Sequence, residues 1–68
     1  MKAISGKRLC RLLEANDWQL KRTNGSHHIY AKAGIAARIS VPVHGNKPLK
    51  LGLQKNLMKL AEINESEL

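Results

Sequence analysis

Two of the chain's three histidines stand side by side in Asn24-Gly25-Ser26-His27-His28-Ile29-Tyr30. An imidazole titrates near neutrality, so it can give or take a proton at physiological pH. Asn24-Gly25 is a turn signal, because glycine enters φ > 0 without a Cβ clash and asparagine tolerates the same region. The residues after it favour extended backbone, which puts the histidines at the mouth of a strand. Side chains there are held by a sheet yet open to a ligand. With the amides of Gly25 and Ser26 and basic side chains nearby, the chemistry on offer is proton transfer beside a phosphoryl group. His27 and His28 point to opposite faces of a regular strand. Ile29 and Tyr30 are both apolar, so strand parity leaves open which histidine meets a ligand. His44 lies in the turn-rich loop Val43–Pro48 and is an auxiliary candidate, as is His28.

Metal chemistry is a poor match to these residues. Adjacent strand histidines diverge, and neither Cys10 nor His44 completes a ligand spacing. The expectation is no metal and no cofactor. Cys10 is the only cysteine, so it forms no intramolecular disulfide and suits a reducing compartment. The chain shows no long apolar run and no signal-peptide pattern, and the expectation is a soluble cytoplasmic protein without membrane contact.

Charge narrows the partner. Twelve Lys and Arg oppose five Asp and Glu across 68 residues, a net +7 with histidines neutral. Three of the acids, Glu62, Glu65 and Glu67, lie in the last seven residues. Residues 1–61 thus set twelve cations against two carboxylates, a net +10. Such an excess on a small domain seeks a polyanion, because neutralising phosphates releases condensed counterions. Lys21, Arg22, Lys32, Arg38, Lys47 and Lys55, with Gly25 and Ser26, are the candidate phosphate contacts. Trp18 and Tyr30 are the only aromatics, too few for a platform that stacks several bases.

The elements that must position these residues follow from periodicity. Ser5 reads as an N-cap, and Ile4 and Leu9 fall at the positions of a hydrophobic staple. Leu9, Leu12 and Leu13 make one apolar stripe with Cys10 as a small apolar helix residue, and the helix ends near Asn16. Trp18–Thr23 alternates apolar and polar, the pattern of a half-buried strand. Asn24-Gly25 turns it into a second strand over His27–Lys32, and Ala33-Gly34-Ile35 makes the next turn. Arg38–Val41 is a third strand stopped by Pro42. Leu49, Leu53, Leu57, Leu60 and Ala61 then recur at helical spacing. Gly52 weakens the first turn, so this helix starts at about Leu53 with Gly52 as its cap. Ile63–Leu68 adds a turn or frays. The order is α-β-β-β-α in a single domain over 1–68, a three-stranded antiparallel meander with both helices on one face.

A basic α-β-β-β-α chain with Gly25-Ser26-His27 opening its second strand resembles the HicA-type toxins of bacterial toxin–antitoxin pairs. Val41-Pro42-Val43-His44-Gly45-Asn46-Lys47-Pro48-Leu49-Lys50 and the glycine-then-helix ending from Gly52 strengthen the resemblance. It implies an α+β fold like the double-stranded-RNA-binding domain, metal-independent cleavage of mRNA, and neutralisation by a HicB-type antitoxin. It also implies that His27 is the catalytic histidine. This chain departs from the family pattern in three places. Ala31-Lys32-Ala33 replaces a basic-His-Pro run, Leu53 stands at a Thr/Ser cap position, and Glu62 occupies the site of a helix-ending glycine. Two alternatives use the same residues without catalysis: a non-catalytic RNA-binding module of this fold, and a basic domain for an acidic protein partner.

Overall fold

The computed structural model describes residues 1–68. Helix α1 (Gly6–Ala15) starts with the Ser5 hydroxyl accepting a bond from the Arg8 amide at 3.1 Å. Ile4, Leu9, Cys10 and Leu13 are buried, and Leu12 packs against them from the edge. The helix closes in a Schellman motif, in which two amides beyond the end satisfy carbonyls of the last turn. Trp18 N–H donates to the Leu13 carbonyl at 2.9 Å, and Asp17 N–H to Glu14 at 3.2 Å. Asp17 takes the left-handed conformation there, at φ 70.

Strands β1 (Gln19–Asn24), β2 (His27–Lys32) and β3 (Ile35–Pro42) form an antiparallel sheet in the order β1-β2-β3. Two-residue turns join them. Gly25 has φ +62 and Gly34 φ +83, values that L side chains reach only with strain. Tyr30, Ile39 and Val41 point from β2 and β3 into the core, and both helices cover that one face.

The strands differ from the sequence expectation in two respects. Every residue of β1 is exposed, so the half-buried alternation expected over 18–23 is not realised. Trp18 is drawn into the core by the helix ending rather than by a strand. An extra residue also bulges between Leu20 and Arg22 and breaks the alternation. The third strand begins at Ile35 rather than Arg38, because Ile35 pairs with Lys32 across the Ala33-Gly34 turn.

Helix α2 (Leu51–Ala61) begins two residues before the expected Leu53, and Gly52 lies within its first turn instead of capping it. Lys50 is the N-cap and supplies no side-chain bond. What fixes the start is Gln54, which is fully buried. Its amide donates to the Lys50 carbonyl at 2.9 Å. Its side chain accepts from the Ile4 amide at 2.9 Å and donates to the Lys2 carbonyl at 2.7 Å. The buried stripe is therefore Gln54, Leu57, Met58 and Ala61, while Leu53 and Leu60 are 38% and 52% exposed. Glu62 carries the left-handed ending at φ 58, with Ile63 N–H on the Met58 carbonyl at 2.9 Å. The helix ends where a glycine would end it, at a conformational cost.

The last residues form a 3-10 turn over Glu65–Glu67 that docks on α1, with Glu67 accepting from Asn16 Nδ2 at 2.9 Å. At the other end of the core, Leu49 N–H donates to the Ile4 carbonyl at 2.8 Å, and Ser5 bridges to Pro48. The loop after β3 is thus pinned to the segment before α1. Gly6 lets the two approach: a Cβ there would lie 2.0 Å from the Pro42 carbonyl oxygen.

Candidate functional site

Because Tyr30 is buried, the odd-numbered residues of β2 face away from the helices. His27 is exposed at the first position of β2, opposite Asn24 on one side and Pro42 on the other. His28, opposite Thr23 and Val41, is half-buried on the helix side. The tertiary structure so separates the two histidines that strand parity could not.

The Gly25-Ser26 turn sits at the head of His27. The Ser26 carbonyl accepts from the Val43 amide at 2.7 Å, which ties the hairpin to the end of β3 beside His27. Farther along the open face, Arg22 and Arg38 flank Ile29 in a shallow hollow. Arg22 is there because of the β1 bulge. Without the extra residue, period-two alternation would put Arg22 on the same face as Leu20, which pairs with Tyr30. Lys21 and Lys32 line the next hollow, with Gln19, Ala31 and Arg38.

The remaining candidates lie elsewhere. His44 and Lys47 stand in a groove with Pro42, Leu49, Lys50 and Leu53, adjoining the His27 end of the sheet through Pro42. Lys55 is on α2 beside Met1, Leu51 and Glu65, apart from the sheet face. Sequence reasoning missed Ile29 as a floor between two arginines and Lys50 as a second lysine in the His44 groove. Strand pairing carried the first signal, but its phase depends on the bulge.

Other reactive groups are locked into the core. The Tyr30 hydroxyl donates to Glu14 Oε2 at 2.6 Å. Burial first, then the Glu14 carboxylate, pushes the phenol well above its ordinary value of 10.0. Burial also raises the Cys10 thiol, so it is short of the thiolate that a nucleophile needs. Nowhere do three His, Cys, Asp or Glu side chains converge as metal ligands would.

Fold and face together define a small basic α+β protein that presents one exposed imidazole on the same open sheet face as two arginines. The sequence profile of the HicA toxin of bacterial toxin-antitoxin matches residues 6–63. The chain belongs to the HicA toxin family, and so to the toxin half of a toxin–antitoxin pair. No curated protein sequence matches it. No helix is long and apolar enough to cross a membrane.

Proposed function

We propose that this toxin is a metal-independent endoribonuclease that cuts mRNA, with His27 as the acid/base group. The observation that carries the reading is the placement of His27. It is the only histidine that the sheet both holds and exposes on the face with Arg22 and Arg38. RNA supplies its own nucleophile. The 2′-oxygen attacks the adjacent phosphorus as its proton leaves, the bond to the 5′-oxygen breaks, and that oxygen takes up a proton. One imidazole near the phosphate serves either transfer, because an imidazole nitrogen can take a proton and give it back. Guanidinium groups and the amides at Gly25 and Ser26 offset charge growing on the phosphoryl oxygens. The products are a 2′,3′-cyclic phosphate and a 5′-hydroxyl. The paired antitoxin, of HicB type, would act in the cytoplasm by covering His27.

Purified wild type and His27→Ala are incubated with RNA in EDTA, and product ends are identified. Cyclic-phosphate ends from wild type with none from His27→Ala are expected. Intact RNA from both proteins, with a salt-sensitive band shift, would replace the ribonuclease by a binding module.

A further inference from the structure

All five carboxylates of the chain lie at positions 14, 17, 62, 65 and 67; residues 18–61 hold eight Lys and Arg and no acid. The fold gathers the acids on the helix layer. Glu14 reaches up to the covered face of β2, and the turn bearing Glu65 and Glu67 docks on α1 and the amino terminus. The sheet is left with no carboxylate of its own. On its open face Arg22 and Arg38 come from the two outer strands and line one hollow over the half-buried Ile29. Neither arginine has an ion pair within the chain; the one ion pair joins Glu65 to the amino terminus. Two like charges lining one hollow without a counterion suit an anion from outside.

We propose that the open sheet face is the track of a single RNA strand, and that Arg22 and Arg38 hold the nucleotide next to the phosphate at His27. This rests on the ribonuclease reading and assigns the substrate's path. Ile29 and His27 are two residues apart on one strand and share a face, which puts the hollow roughly 7 Å from the imidazole. That is the scale of a single nucleotide step. A guanidinium plane both forks onto a phosphate and stacks on a base, and Ile29 offers an apolar floor between the two. A duplex buries its base faces, so this floor serves an unpaired strand. Recognition by one stacked base and two phosphate contacts leaves sequence preference weak.

The probe is a labelled single-stranded 2′-O-methyl oligoribonucleotide, which lacks the free 2′-hydroxyl needed for cleavage, titrated by fluorescence anisotropy across salt concentrations. Arg22→Gln/Arg38→Gln is compared with Lys7→Gln/Lys59→Gln, which removes the same charge from exposed sites on the two helices. The arginine pair should weaken binding about tenfold and lower the log–log salt slope by about 1.4, the yield of two single-strand phosphate contacts. The lysine pair should cost less than about threefold, as diffuse charge does. Equal losses from the two pairs would overturn the track, as would tighter binding of the matching duplex. If the glutamine variant does not fold, Arg22→Lys/Arg38→Lys keeps the charge and loses the planar fork. It should bind more weakly at an unchanged salt slope, and undiminished binding would refute the assignment. The probe cannot be cut, so the two readings fail separately. Arginine-independent binding with His27-dependent cleavage removes only the track. Arginine-dependent binding of RNA that is never cut removes only the nuclease.

Discussion

The same substitution at two helical glycines should have opposite signs. Gly6 and Gly52 both sit in the first turn of a helix, where helix propensity favours alanine by at most its helix-interior value of about 0.5–1 kcal/mol. At Gly52 a Cβ meets nothing within 4 Å, so Gly52→Ala should realise that gain. At Gly6 the Cβ would lie 2.0 Å from the Pro42 carbonyl oxygen, where real contacts stay beyond 3.0 Å. Backbone must move by at least the difference, and it is pinned by Ser5–Pro48 pairing and the Leu49–Ile4 bond. Forcing atoms into so tight a place costs about 1–3 kcal/mol, which exceeds the propensity gain. The net is a loss of up to about 2.5 kcal/mol for Gly6→Ala. Each kcal/mol is worth about 4–8 °C in a domain of this size, so the two variants should melt on opposite sides of wild type by far-UV circular dichroism. Pro42 is also the strand partner of His27. At temperatures where it is fully folded, Gly6→Ala should therefore, under the ribonuclease activity proposed above, cleave RNA more slowly than wild type. Equal stabilisation by the two substitutions would refute the reasoning, because it would mean that the helix does not rest on the Pro42 backbone.

Two further changes test the frame around the site. Glu62→Gly should raise stability by about 0.5–1 kcal/mol, since glycine escapes the cost of the left-handed ending. Glu62→Ala, which keeps that cost and only removes a carboxylate from the helix C-terminus, should gain less in the same urea titration. Tyr30→Phe should cost about 1.5–3 kcal/mol near neutral pH, by removing the bond to the Glu14 carboxylate. In wild type the unfolded chain releases the phenol proton near pH 10 while the folded chain holds it. Stability should therefore fall as pH rises above 10, and this fall should be shallower in Tyr30→Phe. A parallel alkaline fall in the two proteins would exclude Tyr30 as its source.

Much of the frame was legible locally. Ser5 caps α1 and His27–Lys32 is a strand as their residue types dictate, because caps and tight turns are decided within a few residues. The strong positive charge and the exposure of its carriers were legible as well. The departures each have a tertiary cause. Leu53 and Leu60 match helical spacing, yet Gln54 and Met58 take their places beside Leu57 and Ala61 in the buried stripe, because Gln54 finds amide and carbonyl partners some fifty residues away at Ile4 and Lys2. Burying a polar side chain costs stability unless such partners exist, and no local pattern announces them. The Arg22 hollow has the same origin, since the bulge that turns Arg22 outward appears only when β1 pairs with β2.

The amino-acid sequence by itself determined the order of elements, the charge, and a histidine pair at the mouth of a strand. Only the tertiary structure decided which histidine is open. Burial of Tyr30 against α1 sets the phase of β2, and in a strand every alternate side chain follows that single choice.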